Sequence, residues 1–183
     1  MKKFIYKVGF LTLVTISIVS CTKDSLEPEL STDRDITNEP ISTLTDLEYL
    51  ANGMYKRMRA AAYYGRDYII FNEARTDNAY SMGKSNRFVT LTEMRVNDGD
   101  AYPADTWLQI YRVILNANHI INAQNVTGDA EGIKDYQGQA LVTRAVGHFD
   151  LMKLFGQQHV DGQGGKNAIT IPYATKAAVN STD

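Results

Sequence analysis

Cysteine occurs once in these 183 residues, which excludes an internal disulfide framework in any compartment. Histidine occurs three times, at His119, His148 and His159, without metal-ligand spacing, so no metal site is expected. Basic residues are not in excess. Nineteen Lys and Arg stand against twenty-one Asp and Glu, and a net charge of −2 offers no footprint for nucleic acid. The apolar run Val8–Val19 falls short of the roughly 20 residues that span a bilayer. The stretch Gly162–Asn167 lacks the first glycine and the hydroxyl residue of a phosphate-binding loop. Asp98, Asp100 and Asp105 do not have the spacing of a calcium loop. Glu73 and Asp77 are the nearest thing to a glycosidase pair, but two neighbouring carboxylates in a long loop are common. No catalytic constellation emerges, and the expectation is a protein that is not an enzyme and carries no cofactor.

What is present begins with a leader. Lys2, Lys3 and Lys7 precede the short apolar run, and small residues close it, the order of a secretory signal over residues 1–20. Removing those three lysines deepens the charge from −2 to −5. The sole cysteine, Cys21, follows Ile18-Val19-Ser20 and resembles the lipid-modified cysteine of bacterial lipoproteins. Leucine would be more usual where Ile18 stands. The resemblance implies acylation of Cys21, each buried methylene adding about 0.8 kcal/mol to anchoring. Asp24 and Glu27 just behind it resemble signals for outward display on the outer membrane. Residues 21–42, with Pro28 and Pro40 among Ser, Thr, Asp and Glu, are expected to form a tether.

Residues 43–183 read as one helical domain. Leu44, Leu47, Ala51, Met54, Tyr55 and Met58 share a face over residues 43–62, and Thr43 with Asp46 has the spacing of a capping box. Gly53 in its middle suggests tight packing. A second helix is expected from Pro103, with Trp107, Ile110, Ile114, Ala117 and Ile121 on one stripe and Leu108, Tyr111, Leu115 and Asn118 on another. Asn118 on an apolar face is expected to bond a neighbouring backbone group.

The central helix is expected over Gly138–Gly156. One stripe holds Leu141, Ala145, Phe149, Met152 and Phe155, with His148 at its edge. A second holds Ala140, Gly147, Leu151 and Leu154, with Arg144 among them. Gln139, Thr143, Val146, Asp150 and Lys153 remain as an outer strip. Two stripes call for neighbours on two sides, Gly147 for close approach of another helix, and Gly156 for a left-handed cap. Residues 168–173 suggest a short extended segment in which Pro172 disfavours a central strand.

Residues 63–104 differ in kind. Tyr63, Tyr64, Tyr68, Tyr80 and Tyr102 supply five of the eleven tyrosines, interleaved with Arg66, Asp67, Asn72, Glu73, Arg75, Asp77 and Asn78. Ile69–Phe71 and Phe88–Leu91 are expected to be buried turns or brief strands. So long a connection is often functional. Tyrosine faces stack on the apolar C–H faces of sugars while amides and carboxylates bond hydroxyls. Tyr63, Tyr64, Tyr68, Asp77, Asn78, Tyr80 and Tyr102 are therefore the candidate ligand contacts.

Taken in order, Cys21, LEYLANGMYKRM, EARTDNAY, WLQIYRVILNANHII, GQALVTRAVGHFDLMKLFG and IPY resemble the amino-terminal part of the SusD/RagB family. That resemblance implies a mostly α fold of tetratricopeptide-like helical pairs with a long irregular loop region, although no clean internal repeat is legible. It also implies an outer-membrane lipoprotein that binds an oligosaccharide or other nutrient and partners a TonB-dependent, SusC-like transporter. Two features depart from the family. Gln139 stands where Glu is usual, so Arg144 needs another acceptor. Family members run to several hundred residues, so the domain is expected to be truncated, with one face of the central helix open. The competing reading is a lipid-anchored helical interaction module without a sugar site of its own.

Overall fold

A computed structural model describes residues 40–84, 86–157, 168 and 170–177. The leader, Cys21, most of the tether, His159 and the glycine-rich stretch at 162–165 lie outside the described residues. The described chain is mostly α, with five helical elements and no strand among the described residues. They are α1 (Leu44–Met58), α2 (Asp67–Ala74), the single turn α3 (Val89–Thr92), α4 (Ala101–Ile121) and α5 (Ala130–Phe155). Among the described residues, no helix is long and apolar enough to cross a membrane.

Helix α1 starts as its sequence dictates. Thr43 accepts from the Asp46 amide at 3.2 Å, and the Asp46 carboxylate accepts from the Thr43 amide at 2.9 Å. Two free helix-end amides are thereby satisfied. The same end is tied to the α4–α5 loop: Leu44 N–H donates to Thr127 C=O at 2.9 Å and Thr127 N–H to Ser42 C=O at 2.8 Å. The helix ends at Met58, shorter than the expected run to residue 62, because the backbone turns sharply between Arg59 and Arg66.

Helices α4 and α5 form an antiparallel pair. Trp107 meets Phe155, Ile114 meets Gly147 and Asn118 meets Arg144, so numbers rise on one helix as they fall on the other. Gly147 is required there, since a Cβ at that position would lie 2.9 Å from Ile114 Cγ1. Gly53 packs less tightly, with Asn116 Nδ2 its nearest neighbour at 3.6 Å from a notional Cβ. Helix α1 packs on both α4 and α5: Gln109 of α4 donates to Arg57 C=O at 2.8 Å, and Tyr55 of α1 donates to Gln139 of α5. The shared core holds Leu47, Met54, Ile110, Val113, Ile114, Ala117, Ile120 and Leu151, all fully buried. Each large aliphatic side chain so buried contributes roughly 1.5–3 kcal/mol. A smaller cluster, Phe71, Ala74, Phe88 and Leu91, packs α2 on α3.

The central helix differs from expectation in three ways. It begins at Ala130, where Asp129 accepts from the Gly132 amide at 2.8 Å, two turns before Gly138. Gly156 closes it in an extended conformation (φ −72°, ψ 153°), not left-handed. Ala140, Gly147 and Leu151 are buried as expected, but the other stripe and part of the outer strip are exchanged. Thr143 and Asp150, assigned to the outer strip, are buried, whereas Leu141, Phe149 and Met152 are 47%, 63% and 53% exposed. The reason is geometric. Burial follows the neighbours available, and α4 with the Tyr63–Tyr68 segment sits on the side of Gly147, Asp150 and Leu151. Among the described residues, little covers the stripe of Leu141, Ala145 and Phe149.

Helix α4 starts at Ala101, two residues before Pro103. Within 63–104, the run Ile69–Phe71 lies inside α2, while Phe88 and Val89–Leu91 form the left-handed start and body of the α3 turn, not strands. Residues 170–177 run extended beside α4 and α5 without joining a sheet.

Candidate functional site

The turn at residues 59–66 brings three tyrosines to one place. Gly65 makes it possible, because a Cβ there would collide with the Arg59 and Ala60 carbonyl groups. The Tyr63 and Tyr64 hydroxyls donate to Asp150 Oδ2 at 2.5 and 2.6 Å, and Tyr68 donates to Oδ1 at 2.6 Å. The rings pack on one another with centroids 4.3 to 5.7 Å apart. Lys153 donates to the Tyr68 hydroxyl at 3.2 Å, placing a cation at the edge of the group. A buried carboxylate with three short donors is well satisfied. Burial, then the hydrogen bond to Asp150, raises all three phenols, with Tyr64 pushed up to about 12.

Tyr63 is fully buried and Tyr68 nearly so, and their hydroxyls are committed to Asp150. Neither offers a ring face to a ligand. Tyr102 lies apart, stacked on Phe88 with centroids 4.3 Å apart. The Arg66 guanidinium caps both rings, 5.7 Å from Phe88 and 5.9 Å from Tyr102, while its Nε pairs with buried Asp67 at 2.6 Å.

The other candidates face solvent. Asn78 donates to Glu73 Oε2 at 2.9 Å, which turns the chain after α2. Asp77 and Asn78 are exposed, and Tyr80 is 77% exposed. Ser81 donates to Arg87 C=O at 2.6 Å and closes the loop. Tyr80, Met82, Arg87, Phe88 and Ile70 border a cavity of about 320 Å³. A second, more apolar cavity of about 250 Å³ lies between Phe71, Leu91, Met94, Val96, Pro103 and Phe155. The candidate contacts thus divide into a largely buried tyrosine–Asp150 cluster, Tyr102 stacked on Phe88, and an exposed rim at Asp77, Asn78 and Tyr80. Among the described residues, no group of three His, Cys, Asp or Glu is placed to hold a metal.

A family model described as "Starch-binding associating with outer membrane" matches residues 29–182. The chain belongs to this SusD-like family. It is also similar to SusD-like protein P2 of Formosa agariphila, 27% identical over 168 residues, covering 85% of this chain and 30% of that protein. The chain therefore spans about a third of the length of that relative. No solved structure matches.

For a SusD-like chain, the residue that sequence reasoning missed is Asp150. An aspartate three residues before a lysine reads as a solvent-facing position, and hydrophobic periodicity is blind to buried polar groups. The available signal was spacing: Thr143, Gly147 and Asp150 fall on one helical face, small and polar, opposite a segment rich in phenols. Arg144 does find an acceptor in place of the missing glutamate, donating to Asn118 Oδ1 at 3.1 Å. Gln139 instead accepts from Tyr55 at 3.0 Å and donates to Asp135 at 2.7 Å.

Proposed function

We propose that this chain belongs to a lipid-anchored protein on the cell surface that captures a glycan or related nutrient for a TonB-dependent, SusC-like transporter of the outer membrane. The observation that carries the ligand reading is Tyr80, an exposed phenol beside Asn78 and Asp77 at the edge of a cavity, in a chain of a family described as starch-binding. Its ring supplies a flat apolar face, and the neighbouring amide and carboxylate supply a donor and acceptors for sugar hydroxyls. The Tyr63, Tyr64, Tyr68 and Asp150 cluster acts behind this rim, holding the base of α2 against α5. Tyr102 acts with Arg66 in the same supporting role. Contacts of this type bind without bond cleavage, and no catalytic role is assigned to Glu73 or Asp77.

Cys21 serves as the acylation site, and residues 22–42 space the helical body from the membrane. Testing on a glycan array the same folded chain that membrane fractionation recovers separates this reading from a silent scaffold. An array without signal refutes sugar capture. Unchanged membrane fractionation and fatty-acid labelling in Cys21→Ser refute the anchor.

One observation favours a second reading, an interaction module without a sugar site. Leu141, Val142, Phe149 and Met152 expose an apolar stripe on α5 that suits a protein neighbour better than a sugar. Glycan binding by the chain decides between the two.

A further inference from the structure

The extended segment at residues 170–177 is held by side chains that read its backbone. From α4, the Tyr111 hydroxyl donates to Pro172 C=O at 2.7 Å and Asn118 Nδ2 donates to Ala174 and Lys176 C=O, each at 3.1 Å. Asn122 donates to Thr175 C=O at 3.1 Å. All of these are donors to carbonyl groups, and none titrates near neutral pH.

His148 on α5 is the opposite case. Its Nε2 lies 3.0 Å from the Ala174 amide nitrogen, and its Nδ1 lies 2.9 Å from Arg144 C=O. A backbone amide can only donate and a carbonyl can only accept. The ring must therefore be neutral, with its proton on Nδ1 and a bare Nε2. Protonating Nε2 would set N–H against N–H and end the bond to Ala174.

We propose that His148 is a proton-operated latch on this segment: neutral imidazole holds residues 171–176 in the groove between α4 and α5, and imidazolium releases them. The charged and titratable groups against the ring are Arg144, one turn back on α5, Tyr111 from α4 and Tyr173 from the segment, whose ring centroid is 4.3 Å away. Among the described residues, no carboxylate bonds the ring to stabilise its charged form. Burial lowers the basicity of His148 and the Arg144 charge acts in the same direction, while the Nδ1 bond to Arg144 C=O opposes them.

The sign follows from linkage. A histidine whose basicity is lowered when the segment is docked binds fewer protons docked than released. Docking is fully favoured above the ordinary histidine value of about 6.5 and weakens as pH falls through the docked value. Release uncovers the donors of Tyr111, Asn118 and Asn122 along the groove.

The test is amide hydrogen exchange followed by NMR on the full chain, with Ala174 as reporter and Ala117, buried in α4, as the global reference. Ala174 protection is expected to fall about tenfold or more between about pH 7 and pH 5, with Ala117 protection retained. His148→Gln, which does not titrate, is expected to make Ala174 protection independent of pH whatever its absolute level. If that variant fails to fold, the ring nitrogens of the native chain still decide, since Nε2 must be unprotonated at neutral pH. A protonated Nε2 at neutral pH, an unchanged Ala174 while the ring titrates, parallel loss at Ala117, or the same pH dependence in a folded Gln variant would each overturn the latch.

Discussion

Asp150 Oδ2 accepts the Tyr63 hydroxyl at 2.5 Å, joining a carboxylate on α5 to a phenol 87 residues earlier. With Tyr64 and Tyr68 on the same carboxylate, one residue of the central helix organises the chain reversal after α1. Asp150→Ala leaves three phenols without their acceptor and is expected to cost about 3–5 kcal/mol in urea unfolding. Asp150→Asn keeps one accepting oxygen and should cost less. Equal losses would mean that the hydroxyls find other partners.

The same cluster governs alkaline behaviour. Tyr63, Tyr64 and Tyr68 have raised values in the folded chain, Tyr64 at about 12. Their contribution to stability is fully present below the ordinary phenol value of about 10 and is lost as pH rises through the folded values. A spectrophotometric titration should show two groups of phenols, with Tyr63, Tyr64 and Tyr68 in a second group that ionises later or only on unfolding. In Asp150→Ala the delay should shorten. A single transition near pH 10 for all tyrosines contradicts the cluster.

Two glycines of α5 make a matched pair. Gly147→Ala forces a methyl group to 2.9 Å from Ile114 Cγ1 and should destabilise by about 1–3 kcal/mol. Gly138 has no atom within 4 Å of a notional Cβ, so Gly138→Ala should stabilise by about 0.5–1 kcal/mol through helix propensity. Denaturant midpoints of the two variants should move in opposite directions.

These positions also mark how far the sequence could be read. The Thr43–Asp46 box, the apolar stripe of α4, the need for a small residue at 147 and the need of Asn118 for a backbone partner were legible, because each depends on local spacing; that Ala174 and Lys176 supply that partner was not. The orientation of α5 was not. Its sequence is apolar on nearly every side, so periodicity could not say which stripe would meet α4. It buried Phe149 and exposed Asp150, the reverse of what packing does. At the candidate site, the abundance of tyrosine was visible. The division between phenols committed to Asp150 and the exposed Tyr80 depends on a contact across more than eighty residues, which no local pattern encodes.

The exposed stripe of α5 gives a fourth prediction. Phe149→Ser removes a ring that is 63% exposed and should change stability by no more than about 0.5 kcal/mol. Leu151→Ala, two residues on and fully buried, should cost about 2–5 kcal/mol. Comparable losses would show that the stripe is covered.

The central claim is that the rim at Asp77, Asn78 and Tyr80 takes the ligand while the Asp150 cluster supports it. The most direct measurement is calorimetric titration of a glycan-array hit into the native chain, Tyr80→Ala and Tyr63→Phe. Tyr80→Ala should weaken binding about five- to a hundredfold, the equivalent of one stacking contact of about 1–3 kcal/mol. Tyr63→Phe should lower stability and leave affinity within about twofold in the folded chain. Undiminished affinity in Tyr80→Ala, or a selective loss of affinity in a fully folded Tyr63→Phe, would contradict the account.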